Sequence, residues 1–477
     1  MDKYKEYKNI NYAQVADDVL KWWQDNEVFK KSISTREGKP TFTFYEGPPS
    51  ANGTPGIHHV MARTVKDIFC RYKTQKGFKV ERKGGWDTHG LPVELQVEKE
   101  LGITKEDIGK KISVEDYNKK CKEAVMKFKG QWDDLTEKMG YWVDLDNPYI
   151  TFDRNYMETL WSLLKRFYDR GLLYKGYTIQ PYSPAAGTGL SSHELNQPGT
   201  YKDVKDTTVV AQFKVESNEK SAKLFDKAEE DVFFLAWTTT PWTLAANNSL
   251  AVGKNINYVQ VRTFNAYTFE PICVILAEDR LKSYFNTKAD DIALADYKAG
   301  DKLIPYEVVA TYKGSELQGI DYEQLMPYIK LPKPAYTDIV GDFVTTEEGT
   351  GIVHLARTFG ADDERVSAQN GVPGVFVKDE DGFDAPIVNK QGKYVEEITD
   401  FAGMYVKNQY YKNEEAPEKS LDVLIAIKLK EENKAFKVEK YEHSYPHCWR
   451  TDKPVLYYPL DLLNFIKFVL NSLKHIL

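Results

Sequence analysis

The residues best suited to chemistry lie in two short stretches near the start of the chain. They are Gly47-Pro48-Pro49 through His59, and Gly84-Gly85-Trp86-Asp87-Thr88-His89-Gly90. In the first, proline removes backbone donors and glycine opens positive φ, so regular structure must break there. If a strand precedes the break and a helix follows it, free N–H groups and a positive dipole end face the same point, a place suited to an anion. His59 can add a side-chain donor to a phosphate. The bland alternative is a tight turn with two core-facing histidines. In the second stretch, Asp87 stands where strand ends would converge, placed to hold a substrate ammonium. Its alternative is an N-cap ahead of a helix from Leu91 to Leu101.

The elements that must position these residues are legible around them. Val15, Val19, Trp22 and Trp23 recur at i, i+4, i+7 and i+8, which predicts an amphipathic helix ending before Phe29. Thr41 to Gly47 alternates with aromatic and β-branched residues and reads as a strand. A helix is expected from about Ile57 to Lys76, then an extended run around Phe78 to Arg82. Strand, loop, helix, strand is a βαβ unit, which implies a parallel sheet with ligands at the strand C-termini. Residues from about 115 to 170 read as mostly helical. From about Thr207 to residue 400 the texture changes to short β-rich runs separated by polar turns, as in a barrel or sandwich.

Composition bounds the rest. A chain of 477 residues suggests about three domains. With 42% apolar and 28% charged residues it is an ordinary globular composition, which excludes wholesale disorder and a membrane bundle. A net charge of −7 leaves no chain-wide basic footprint for nucleic acid. The lysine-rich stretch Lys119 to Lys129 could touch phosphates, although a solvated helix face is the plainer reading. Four scattered cysteines predict reduced thiols rather than a disulfide framework. No apolar signal segment opens the sequence and no spanning helix is apparent, so a cytoplasmic, membrane-free protein is expected; a monomer is the separate expectation for its assembly.

From Phe44-Tyr45-Glu46-Gly47-Pro48-Pro49 through GWDTHGLPVE, the chain resembles the class I aminoacyl-tRNA synthetases, and among them the isoleucyl-tRNA synthetases. The similarity continues in order through LAWTTTPWTLAANNSLAVG, EEGTGIVHLARTFGADDERV and YEHSYPHCWR. It implies an α/β, Rossmann-type catalytic core with an inserted β-barrel-like editing domain. Expected substrates are isoleucine, ATP with Mg2+, and the isoleucine-specific tRNA. By resemblance, Gly47, Pro48 and Asp87 line the isoleucine pocket, with Asp87 on the α-ammonium. His59 matches the last histidine of the family's His-x-Gly-His signature, which reads Gly56-Ile57-His58-His59 here. Gly56, His58 and His59 are therefore expected at ATP, with His58 and His59 catalytic. His58 either takes over the contact of the missing first histidine or leaves ATP binding impaired; the first is the expectation.

The resemblance also explains the β-rich insert. An apolar pocket cannot reject a substrate one methylene smaller by more than about 1–3 kcal/mol, and this family's choice of isoleucine over valine is the standard illustration of that limit. A second, hydrolytic site is implied. It comprises Thr238, Thr239, Thr240, Thr243 and Asn247 from the threonine-rich peptide, with His354 and with Asp363 on the misacylated amino group. Arg357 stands where the family generally has proline, so the loop aiming Asp363 is a point of departure. Relatives often hold zinc with paired cysteines; here Ser183 to Gly187 contains none, Thr451 stands where the partner of Cys448 would be, and His443 and His447 do not make up the set, so no zinc is expected.

The implied domains are 1–145 (N-terminal helix and first half of the core), 146–200 (helical connection), 201–400 (editing insert), 401–455 (return connection) and 456–477 (start of the second half). The family's KMSKS region and anticodon-binding domain are not seen after Asp461, and the tail LLNFIKFVLNSLKHIL suits a core helix. The chain is thus read as a truncated ligase, with an editing-only deacylase or a non-catalytic tRNA-binding remnant as alternatives.

Overall fold

A computed structural model describes residues 9–380, 382–412 and 415–465, and the chain divides into two compact units. The first unit runs to Tyr174; the second is Lys175–Asn464.

In the first unit, β1 (Thr41–Tyr45), β2 (Lys79–Trp86) and β3 (Asp144–Ile150) form a parallel sheet in that order. Thr41 faces Lys79 and Tyr45 faces Lys83, and the helix Ile57–Gln75 makes the crossover between the two strands. This is the βαβ unit expected. The extended run continues to Trp86, past the expected Arg82, because the Gly84-Gly85 pair stays in the strand. A Cβ on Gly85 would lie 2.3 Å from the ring of Tyr149, so only glycine lets β3 approach this closely.

The span from 115 to 170 is mostly helical as expected, interrupted by the strand β3, which local periodicity does not announce. Its sequence DLDNPYI lacks apolar alternation and contains Pro148. It survives as a strand because it pairs on one side only, with an irregular register between Lys83 and Gly85. The helix Leu91–Leu101 begins as expected, but its N-cap is Gly90, which leaves Asp87 free of that role. The N-terminal helix spans Tyr12–Asp25. Of its apolar stripe, Trp23 packs edge-on against Trp142 at 5.2 Å, whereas Val15, Val19 and Trp22 stay exposed. Ala51, Trp86 and Trp132 form the buried cluster beneath the Gly/Pro loop.

The second unit is built on one curled, mixed sheet. β4 (Leu173–Ser183), which begins just ahead of it, pairs with β5 (Thr188–Gly189) and lies apart from that sheet. β6 (Tyr201–Lys214) runs antiparallel to β7 (Val232–Thr238). β8 (Ser249–Val252), β9 (Asn257–Phe264), β10 (Pro271–Ala277), β11 (Glu307–Lys313), β12 (Asp338–Val340) and β13 (Ile352–Leu355) complete the run β11-β9-β10-β7-β13-β8-β12. This run ends at β11 and β12, with β6 branching from β7, and is therefore an open, barrel-like curl. β14 (Phe376–Lys378) and β15 (Asp384–Pro386) form a small hairpin, and β16 (Ala435–Pro446) pairs with β6. β17 (Leu456–Phe465) pairs with β4. That strand occupies the beginning of the segment expected as a core helix; the remainder of the expected helix lies outside the described residues.

Two pairings of β13 decide where the chemistry falls. It runs antiparallel to β8, with His354 opposite Leu250, and meets the end of β7 through Val353 opposite Trp237. The chain leaving β7 and the chain leaving β13 therefore turn away from the same edge. Apolar side chains of β6, β7, β10 and the helix Leu421–Glu431 fill the core beneath.

Candidate functional site

The first unit presents two loops at the C-terminal ends of β1 and β2. They are tied together: the Asp87 amide donates to the Pro49 carbonyl at 3.0 Å. The Gly/Pro loop is pinned further by the Trp132 indole, which donates to the Gly53 carbonyl at 2.8 Å, and by the Phe128 amide on the Ala51 carbonyl at 3.0 Å. Asp87 is half-buried, its Oδ1 accepts weakly from the His89 amide at 3.4 Å, and among the described residues no cation pairs with it. Thr151, at the end of β3, anchors the following turn by accepting from the Thr88 amide at 2.9 Å.

His59 stands at the third position of the helix Ile57–Gln75. Its Nδ1 accepts from the Gly56 amide at 2.9 Å, so Nε2 carries the proton and is the donor turned to other groups. Its ring lies 4.6 Å from that of Trp132 and 3.8 Å from that of His58. Burial, with the neighbouring His58 and Arg63, lowers its basicity, which favours the neutral ring. His58 is exposed and folds back over Gly56: a Cβ on Gly56 would meet its Cε1 at 2.9 Å. The His58 ring thus covers the backbone position where a side chain at 56 would begin.

Gly47 has Lys66 beside it, the amine 3.7 Å from where a Cβ would stand. That amine pairs at 2.6 Å with Glu46, a buried carboxylate that also accepts from the Tyr141 hydroxyl. Sequence reading did not single out Glu46. Nothing in its spacing separates it from the exposed glutamates of this chain.

The second unit holds a cavity of about 380 Å3. Trp237, Thr238, Thr239, Thr240 and Thr243 enter it from the end of β7 and the following turn. Gly349 to His354 enter from the approach to β13 and the strand itself, and Asp363 from the first turn of the helix Ala361–Gln369. The threonine peptide and Asp363, more than a hundred residues apart, thus line one space. Asn247 does not line it. Its amide instead sits behind His354, as a partner to the imidazole.

The hydrogen bonds run in one direction. Asn247 Oδ1 accepts from the Tyr322 hydroxyl at 2.8 Å, and Nδ2 donates to the Ser249 carbonyl at 3.0 Å, which orients the amide. Nδ2 therefore donates to His354 Nδ1 at 2.8 Å. His354 Nε2 then carries the proton and donates to Thr243 Oγ1 at 3.1 Å, and Thr243 donates onward to the Thr240 carbonyl at 2.8 Å. Burial drives the His354 pKa down to about 3. The ring is neutral at physiological pH with both nitrogens engaged, which suits positioning rather than proton abstraction.

Asp363 accepts from the Ala356 amide at 2.8 Å, and among the described residues no cation pairs with it. Burial pushes its pKa up to about 6, with the adjacent Asp362 adding to the rise. Gly360 makes room for it: a Cβ there would stand 2.5 Å from the Asp363 carboxyl carbon. Arg357 reaches away from Asp363, with one guanidinium nitrogen on the Val372 carbonyl at 2.7 Å and another 3.2 Å from Glu364.

Around Cys448 the backbone closes on itself, Cys448 N–H donating to the Lys453 carbonyl and Asp452 N–H to the Cys448 carbonyl, both at 2.8 Å. Among the described residues no group of three His, Cys, Asp or Glu side chains could hold a metal ion. Likewise, no described helix is long and apolar enough to cross a membrane.

A family model described as tRNA synthetases class I (I, L, M and V) matches residues 18–324. The isoleucine–tRNA ligase of Cytophaga hutchinsonii is 65% identical over 469 residues, covering 96% of this chain and 42% of that protein. The isoleucine–tRNA ligase of Bacteroides fragilis is 58% identical over 475 residues, covering 96% of this chain and 41% of its own. That of Clostridium acetobutylicum is 41% identical over 459 residues, covering 95% and 39%. The chain thus spans about two fifths of the length of these curated relatives.

Proposed function

Since the chain belongs to the class I tRNA synthetases, we propose that it carries the isoleucine-activating loops and the proofreading site of an isoleucine–tRNA ligase. In the activation step, the isoleucine carboxylate attacks the α-phosphorus of ATP and pyrophosphate leaves. Asp87 holds the substrate ammonium, Gly47 and Pro48 bound the side-chain pocket, and Gly56, His58 and the Nε2–H of His59 face the phosphates. Mg2+ enters with ATP and neutralises phosphate charge. Positioning and charge stabilisation carry such a step.

The second unit hydrolyses valyl-tRNA specific for isoleucine. The unpaired Asp363 carboxylate takes the valyl ammonium, and the threonine hydroxyls hold the terminal ribose and the attacking water. Water adds to the ester carbonyl, the bond to the ribose oxygen breaks with a proton passing to that oxygen, and valine leaves. His354 fixes Thr243 and does not take the proton. One observation carries this reading: Thr239 and Asp363, from distant parts of the sequence, line one cavity.

The test is deacylation of valyl-tRNA specific for isoleucine by the full chain. Hydrolysis by the wild type and its loss in Asp363→Ala support the reading; equal rates in the two overturn it. A second reading, a deacylase without activation, is favoured by the cavity's lining coming wholly from Lys175–Asn464. Isoleucine-dependent pyrophosphate exchange separates the two. Deacylation without exchange selects the second.

A further inference from the structure

We propose that Asp422 is a positioning residue for hydrolysis: its buried carboxylate holds the threonine turn in place through the backbone of Trp242. The proposal rests on the hydrolytic reading given above. Trp242 lies in the six-residue 3-10 turn Pro241–Ala246, which directly follows Thr239 and Thr240 and contains Thr243. Turns of this kind have poor internal hydrogen-bond geometry, so outside partners decide how well this one is defined. Trp242 has two. Its N–H donates to Asp422 Oδ1 at 3.1 Å, and its carbonyl accepts from the Tyr394 hydroxyl. Both polar groups of one backbone residue are thereby gripped by side chains more than 150 residues away in sequence.

The charge is held as well as the turn. Asp422 sits in the first turn of the helix Leu421–Glu431 and is 5% exposed. A buried carboxylate is costly unless paired. Its Oδ2 lies 3.9 Å from Nζ of Lys407, itself 5% exposed. Lys407 pairs more closely with Asp206, at 2.8 Å, and lies over the Tyr445 ring at 4.8 Å from its centroid. Asp206 in turn lies 3.3 Å from His443 Nε2. Asp422 itself meets the threonine turn through the Trp242 backbone N–H. Removing Asp422 leaves Lys407 its nearer partner, so the acceptor can be deleted without stranding the lysine.

The experiment compares Asp422→Ala and Asp422→Asn in the full chain, using deacylation of valyl-tRNA and hydrogen exchange of the Trp242 amide. Asparagine keeps an acceptor oxygen for that amide; alanine does not. Loss of one buried hydrogen bond predicts that Asp422→Ala lowers kcat by about tenfold or more with little change in KM. The Trp242 amide should exchange faster by a similar factor, and Asp422→Asn should restore both quantities. Wild-type kcat and slow exchange in Asp422→Ala overturn the proposal, as does equal impairment in the two variants. Should Asp422→Ala not fold, Asp422→Leu, which fills the space without an acceptor, is read the same way. If wild type and Asp363→Ala hydrolyse equally, the hydrolytic reading fails, and Trp242 exchange alone decides whether Asp422 holds the turn.

Discussion

Asn247 Nδ2 donates to His354 Nδ1 at 2.8 Å, and this bond decides which imidazole nitrogen carries the proton. The amide cannot rotate to reverse it, because Tyr322 and the Ser249 carbonyl hold its two ends. The proton therefore sits on Nε2, aimed at Thr243 on the cavity wall.

Asn247→Asp should reverse that tautomer. A carboxylate is acceptor-only, so Nδ1 must carry the proton and Nε2 loses its donor toward Thr243. The expected result is deacylation lowered by about tenfold or more, with the loss of one buried hydrogen bond as its measure. Nitrogen-15 shifts of the His354 ring read the tautomer directly. An unchanged Nε2–H tautomer in the variant would contradict this account.

Acidification should switch off deacylation near the pKa of Asp363. The carboxylate must be ionised to pair an ammonium, and burial places its pKa at about 6. Activity therefore rises with pH through about 6 and falls below it. His354, neutral down to about 3, does not contribute to this inflection. Burial also pushes Asp422 up to about 6. An inflection that persists in Asp422→Asn but vanishes in Asp363→Asn assigns it to Asp363.

Gly360→Ala should disable the same carboxylate without removing its charge. The new methyl would stand 2.5 Å from the Asp363 carboxyl carbon, so Asp363 must leave its bond to the Ala356 amide. Overpacking of this kind costs about 1–3 kcal/mol. Deacylation should drop toward the level of Asp363→Ala, measured side by side. Wild-type activity in Gly360→Ala would show that the carboxylate tolerates displacement.

In the first unit, Gly85→Ala should destabilise through Tyr149. The Cβ would meet the Tyr149 ring at 2.3 Å, and backbone shift is the remaining escape, at about 1–3 kcal/mol. Tyr149→Ala in the same chain should recover part of that loss. Urea unfolding of the two single variants and the double variant gives the coupling; additive losses would mean that the ring moves aside freely.

How much was legible in the chain alone follows from the range of each signal. The strand Thr41–Tyr45, the helix Ile57–Gln75 and the runs that became β6 to β9 announce themselves by local periodicity. The short motifs around Gly47, Asp87, Thr239 and Asp363 carry their residue types in plain view. β3 was not legible, because Pro148 and three polar residues mask a strand that exists only by pairing with β2. Glu46, Tyr322, Tyr394 and Asp422 were also missed. A single acidic or tyrosine residue has no pattern, and its meaning comes from what packs against it.

Sequence by itself determined which residues were available and the type of the strongly periodic local elements, since capping, periodicity and glycine placement act over a few neighbours. Tertiary structure alone decided which of them meet. The pairing of β13 with both β7 and β8 brings Asp363 to the threonine turn, and burial then neutralises His354 and raises Asp363. Desolvation and long-range hydrogen bonds depend on what surrounds a group in space, and that is set only when the sheet has curled around it.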